Sequence, residues 1–314
     1  DGNGIGDFYY TPPTGYLALC TQNLPDPTVI PSEHFNTVTY TGDSANSKAV
    51  TGVGFNPDFT WIKSRTNPGN GIFHTLVDNV RGKTGSYYLQ LFSNSTDQEE
   101  YAGGTAYPVA GHGGVTSLDS DGFTVLEGSG ATDDLNVNTT PYVAWNWKAN
   151  GSGVSNTDGT ITSTVSANTD AGFSIVGYNG NQVGGATVGH GLSKAPEMVL
   201  IKQRTTGGHH WKSIMPPLGA GKALYLNLTN AAASGQFNNT LPTSSVFTLD
   251  TDTNCNESGA AHIAYCFHSV DGYSKVGSYT GNGSSDGTFV YTGFRPAYVM
   301  GKKTNAADDW FVYD

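Results

Sequence analysis

The stretch Asp250-Thr251-Asp252-Thr253-Asn254 sets three oxygen-bearing side chains at alternate positions. That spacing opens a calcium loop, where carboxylate and amide oxygens suit a hard cation. Asp250, Asp252 and Asn254 are therefore candidate metal ligands, with calcium the ion they would take. The loop then leaves the EF-hand pattern, because Cys255 stands where glycine is needed and Ala261 where a bidentate glutamate belongs. A turn between two strands accounts for the same residues. His209 and His210 are adjacent, so on a strand they point to opposite faces and cannot share an ion without a bend. No zinc-type ligand spacing accompanies them, and they read as loop contacts for a binding partner. A third group lies in segment 93–115. Tyr101 and Tyr107 could stack on a sugar or protein ring, while Asp97, Glu99 and Glu100 could hold hydroxyl or ammonium groups. A neutral surface elaboration is the alternative for that segment. Glutamates stand only at positions 33, 99, 100, 127, 197 and 257, and none sits in an enzyme-like motif. GxSxG, HExxH and P-loop patterns are absent as well. No catalytic residue and no cofactor beyond calcium is expected.

The elements that would carry these residues follow from composition. The chain has 314 residues, 42 of them glycine, with 13% charged and 11% aromatic side chains. Aromatic content at that level excludes a disordered chain. Abundant Gly, Asn and Asp suits a protein with many strand-to-strand turns. No stretch repeats apolar residues at helical spacing for long, and glycine interrupts nearly every candidate. The expected class is all-β. A net charge of −11 argues against nucleic acid and anionic membranes as partners, since both need clustered Lys and Arg. No apolar run reaches the length of a membrane span. The cysteines, Cys20, Cys255 and Cys266, make no disulfide framework. Cys20 and Cys266 read as buried thiols, and a Cys255–Cys266 bridge stays open.

Three landmarks recur along the chain, and fixed spacing of this kind signals repeated structural units. Tyr-x-Gly occurs at Tyr40-Thr41-Gly42, Tyr178-Asn179-Gly180 and Tyr279-Thr280-Gly281. A proline followed six residues later by lysine occurs at Pro57 and Lys63, Pro196 and Lys202, and Pro296 and Lys302. A closing strand reads YVAWNWK from Tyr142 and HIAYCFH from His262. The resulting organisation is tandem β-sandwich repeats of jelly-roll or concanavalin-like type. Residues 1–31 form end strands and a proline-rich linker, 32–151 the first repeat, 152–272 the second, and 273–314 the start of an incomplete third. Copy one is 19 residues longer than copy two between the proline and the closing alanine (Pro57 to Ala144 against Pro196 to Ala264), and segment 93–115 should hold the excess. Segment 151–167 reads as a linker or an edge strand. Phe73, Trp211 and Trp310 fall at similar distances after the shared lysine and should fill one core position. The shared lysines read as strand ends whose stems cover apolar surface while the ammonium reaches water, with anion binding as the other reading.

The run IAYCFHSVDGYSKVGSYTGNGSSDGTFVYTGFRPAYVMGKKT resembles a module of bacteriophage virion proteins of tail-fibre-like type. YVAWNWKANG and GFSIVGYNGN look like the same module, and residues 1–28 resemble the last strands of a SPRY or concanavalin-like lectin domain. The resemblance implies a β-sandwich on a virion surface, other virion subunits as partners, a homo-oligomer such as a trimer, and attachment to a host glycan or receptor. It brings no catalytic motif. A purely structural shaft, collar or capsid-decoration protein is one alternative. A secreted or cell-surface carbohydrate-binding protein or polysaccharide hydrolase is another.

Overall fold

A computed structural model describes the chain apart from residues 3, 7, 19, 21, 22, 24–28, 67–72, 100–112 and 129–134. Ten strands form the first half. They are β1 (Phe35–Thr41), β2 (Lys48–Thr51), β3 (Phe59–Ser64), β4 (Thr75–Asp78) and β5 (Lys83–Thr84), then β6 (Tyr87–Tyr88), β7 (Leu91–Phe92), β8 (Gly114–Asp119), β9 (Gly122–Leu126) and β10 (Pro141–Trp147). The second half has β11 (Val154–Asn156), β12 (Ser163–Asn168), β13 (Phe173–Asn179), β14 (Thr187–Gly189) and β15 (Met198–Gln203). It continues with β16 (Lys212–Ile214), β17 (Ala223–Tyr225), β18 (Val246–Thr248) and β19 (Ala261–Phe267). A last hairpin is β20 (Val299–Lys302) with β21 (Trp310–Tyr313). Helix among the described residues is limited to single turns, so the protein is all-β.

The two halves repeat one wiring. Sheet order is β1-β10-β3-β4-β7 in the first and β11-β12-β13-β19-β15-β16-β17 in the second. In each, the closing strand (β10, β19) lies between the Tyr-x-Gly strand (β1, β13) and the lysine strand (β3, β15). The registers also agree. Ala144 faces Ile62 and Ala264 faces Ile201; Val143 faces Lys63 and Ile263 faces Lys202.

β3, β10, β13, β15 and β19 are buried on both faces, which is why they read as continuous apolar runs rather than alternating ones. Alternate side chains serve different cores. In the first half, Tyr40, Ile62, Val77, Tyr142 and Ala144 pack inward with Val50, Val115, Phe123 and Val125 of the small sheet β2-β9-β8. In the second, Val176, Tyr178, Ile201, Ala264 and Cys266 pack inward with Val188 and Phe247 of β14-β18. The outward residues of both large sheets meet each other. Phe59, Trp61, Val143, Trp145 and Trp147 join Phe173, Ile175, Leu200, Trp211, Ile263 and Tyr265 in a single cluster. Phe59 stacks on Tyr265 at 4.3 Å between centroids. The result is four sheet layers with three cores, of which the middle one is a seam shared by both halves. The last hairpin adds Tyr298, Met300, Trp310 and Val312 to the same seam.

The Tyr-x-Gly landmark has a physical cause that also repeats. The Tyr40 hydroxyl donates to the Leu135 carbonyl and the Tyr178 hydroxyl to the Cys255 carbonyl, both at 2.7 Å. The rings stack on the first side chain of the closing segment, Tyr142 and His262. Next to each carbonyl stands an asparagine. Asn136 bonds the Asp43 N–H and the Ala45 carbonyl, and Asn256 bonds the Asn181 N–H and the Val183 carbonyl. The glycine lets the chains touch: a Cβ on Gly42 would lie 2.0 Å from the Val137 oxygen, and one on Gly180 would lie 2.4 Å from the Glu257 oxygen.

Several expectations are corrected. The described residues before Phe35 carry no strand, and Tyr9, Tyr10 and Tyr16 are exposed there. Cys20 is half-buried rather than buried, and all three cysteines are free thiols. Segment 151–167, expected as a linker or an edge strand, supplies the edge strand β11 and most of the interior strand β12. The residue equivalent to Trp211 and Trp310 is His74, not Phe73. Extending the registers places His74 opposite Lys63, as Trp211 falls opposite Lys202 and Trp310 opposite Lys302. A slip of one residue moves a side chain to the other face. Phe73 instead stacks on Phe92.

Candidate functional site

Most of the described polar candidates gather where the seam meets the loops after β7 and β15. Glu99 is held at its backbone by the Arg204 carbonyl. Its carboxylate receives the Arg204 guanidinium at 2.9 and 2.6 Å, a two-pronged, charge-assisted contact. On its other side lies Arg81, at 3.2 Å. The Arg81 guanidinium runs inward to Asp78 and to the carbonyls of Leu76 and Leu89. Both side chains of the Arg81–Asp78 pair are wholly buried. Across the seam the Tyr265 hydroxyl donates to the Asp78 carboxylate at 2.7 Å. Burial works against the Arg81 charge, but Asp78, Tyr265 and Glu99 outweigh it and hold the guanidinium pKa above its ordinary value. Burial, reinforced by Asp78, pushes the Tyr265 phenol well up. Next to this network the Trp211 indole N–H donates to the Phe92 carbonyl at 2.7 Å.

Lys202 corrects the picture of a solvated strand end. Its side chain is buried, and its ammonium donates to the carbonyls of Thr96 and His209. Burial pushes its pKa down to about 8, with Asp97 offsetting part of the effect. The lysine thus ties the 93–99 strand-exit of the first half to the 203–211 loop of the second. Gly208 adds a backbone bond to Thr96.

His209 and His210 belong to that loop and serve it. His209 Nε2 stands 3.5 Å from Glu257. The His210 N–H donates to Asn254 Oδ1, and its ring pairs with Asn227. Asp250 and Asp252 do approach each other, but the Lys212 ammonium sits between them at 3.0 and 2.8 Å. The Phe237 N–H donates to the same Asp250 oxygen as Lys212, and the other oxygens of Asp250 and Asp252 take the N–H groups of Asp252 and Asn254. Burial opposes both charges, yet Lys212 and these hydrogen bonds hold both carboxyls below their usual range. The calcium reading of Asp250, Asp252 and Asn254 is corrected accordingly. Lys212 takes the place of the cation, and Asp252 caps the helical turn Thr253–Asn256. No group of three or more metal-ligating side chains occurs among the described residues. Asp97 is exposed. Glu100, Tyr101 and Tyr107 lie outside the described residues.

The arrangement gathers seven of the ten candidates, of which Glu99 bonds Arg204 across the two halves while His209, His210, Asp250, Asp252 and Asn254 bond within the second half. Asp78, Arg81, Lys212 and Tyr265, at its centre, escaped the sequence reading, and Lys202 reads there as a strand end. One signal was legible. Copy one has Trp145 where copy two has Tyr265, as the shared register shows, and a phenol inside an apolar strand calls for a buried polar partner.

Fold and site together define an all-β protein of face-to-face sandwiches, welded through a seam that is aromatic at its centre and ion-paired at its margin. The chain belongs to the family described as Domain of unknown function (DUF7483), which matches residues 30–314 and so takes in both halves and the last hairpin. No curated protein and no solved structure matches it.

Proposed function

We propose that this chain is a non-enzymatic structural protein of a bacteriophage virion, a rigid building block of a tail fibre or related appendage. The seam supports the structural part. Glu99, His209, His210, Asp250, Asp252 and Asn254 are engaged with neighbouring residues, an arrangement suited to stiffness rather than turnover. The virion context rests on the resemblance of the repeated stretches to tail-fibre-like modules. Neighbouring virion subunits are the expected partners, with a homo-oligomer such as a trimer as the assembly. Any attachment to a host glycan or receptor falls to the 93–115 segment, whose Asp97 is exposed. The same seam favours a shaft, collar or capsid-decoration role over an adhesive one.

Particles of the encoding phage provide the test. An antibody raised against the chain should label one particle substructure in electron micrographs. Purified chain mixed with host surface polysaccharide should release no reducing ends. Absence of the chain from purified particles, or steady sugar release, overturns the proposal.

A further inference from the structure

Lys212 has a wholly buried side chain with two carboxylates against its ammonium. It lies on β16 opposite Ile201 of β15, and so points into the core between the large sheet of the second half and β14-β18. The Phe237 ring is 4.7 Å from its Nζ, and Phe237 and Cys255 are fully buried members of that core. Asp250 and Asp252 reach the lysine from the loop that leaves β18. The two carboxylates are not equivalent. Asp250 Oδ1 takes the Asp252 N–H at 2.9 Å and the Cys255 thiol at 3.3 Å, and its Oδ2 takes the Phe237 N–H at 2.7 Å beside the ammonium. Donors fixed on both oxygens draw electrons from the carboxyl carbon. Asp252 turns Oδ2 to the ammonium and gives Oδ1 to Asn254. The first half has no counterpart to the lysine. Thr75 faces Ile62 there as Lys212 faces Ile201, so the shared fold does not require the set.

We propose that Lys212 and Asp250 become joined by an amide bond that the chain makes for itself, with Asp252 as the proton carrier. A lysine amine is a nucleophile once it has lost its proton. The Lys212 ammonium passes a proton along its 3.0 Å hydrogen bond to Asp250 Oδ2, which leaves a free amine beside a neutral carboxylic acid. The nitrogen adds to the Asp250 carboxyl carbon, and Asp252, 2.8 Å away, takes a second proton from it. Charge develops on Oδ1, where the Asp252 N–H and the Cys255 thiol already donate. Asp252 then hands its proton to Oδ2, the C–Oδ2 bond breaks, and one water leaves. An ammonium and a carboxylate thus become an amide and water. Asp252 ends as it began, and no oxidant or other reactant is consumed. Burial disfavours each charge, yet Cys255 and the two carboxylates hold Lys212 above its ordinary pKa, and Lys212 holds Asp250 below its own. The charged set is therefore the starting state and the first proton transfer the slow step, in a reaction that happens once per chain between groups already in contact. The product ties β16 of the large sheet to the loop leaving β18 of the small one, a covalent link between the two layers of the second sandwich. The inference does not depend on the virion reading.

The mass of the intact, folded chain is the test. It should fall short of the sequence mass by one water. After unfolding, trypsin should fail to cut after Lys212 and should release residues 205–222 joined to residues 223–275. Asp250→Asn should form the same bond by losing ammonia in place of water, which separates this reaction from dehydration elsewhere in the chain. Asp252→Asn should keep its full mass and be cut after Lys212. A wild-type chain of full mass that trypsin cuts after Lys212 overturns the inference, whatever the variants do. So does a bond that fragmentation places on Asp252, or a loss of water that persists in Lys212→Met.

Discussion

Asp78 and Arg81 form an ion pair with no exposed side-chain area, and at such a site removing one partner strands the other. Asp78→Asn should destabilise the chain by about 3–5 kcal/mol in chemical denaturation. Tyr265→Phe removes the hydroxyl that donates to Asp78 and accepts from Arg81 across the seam, and should cost about 1–2 kcal/mol. If Asp78→Asn proved neutral, the network would be ornamental. Lys202 is the residue whose contribution should change with pH. Its pKa is about 8 in the folded chain against an ordinary 10.5, so between those values the unfolded chain binds more protons. Stability attributable to Lys202 therefore rises with pH across that window, and below pH 8 the full cost of burying the charge remains. Measured against Lys202→Met, wild-type stability should gain up to about 3 kcal/mol between pH 7 and pH 10.5. A difference flat in pH would mean the ammonium is solvated.

Among the elements, the clasp explains why Tyr-x-Gly could be read as a landmark. Gly42→Ala and Gly180→Ala drive a Cβ into carbonyl oxygens at 2.0 and 2.4 Å, contacts that only backbone movement relieves. Each should lower stability by more than about 2 kcal/mol by thermal or denaturant unfolding, while Gly281→Ala should sit within about 0.5 kcal/mol of wild type. Equal effects at all three positions would contradict the clasp. The central strands were legible because two buried faces make long apolar runs, and β10 and β19 begin within a residue of where those runs put them. The short outer strands were not. β2, β8 and β14 are short or polar, paired in small sheets, and their residues resemble turns. His74 escaped notice because the hairpin after Lys63 is longer than those after Lys202 and Lys302, and spacing alone cannot count through a loop. The ion-paired margin of the seam was illegible for a related reason. Its members come from residues 78 to 265 and meet only once two sheets have packed.

For the whole molecule, the repeats are neither beads on a linker nor copies stacked only end to end. Trp211, fully buried at the seam, packs against Tyr265 and donates to Phe92 of the other half. Truncating it opens a cavity between halves, and Trp211→Ala should cost about 3–5 kcal/mol. The direct measurement of the central account is the cooperativity of unfolding, followed for wild type and Trp211→Ala by both tryptophan fluorescence and hydrogen exchange. A shared seam predicts one coincident transition in the wild type, with amides of β3 and β15 losing protection together and both shifted by the substitution. Two separate transitions, with Trp211→Ala moving only the second half, would contradict it.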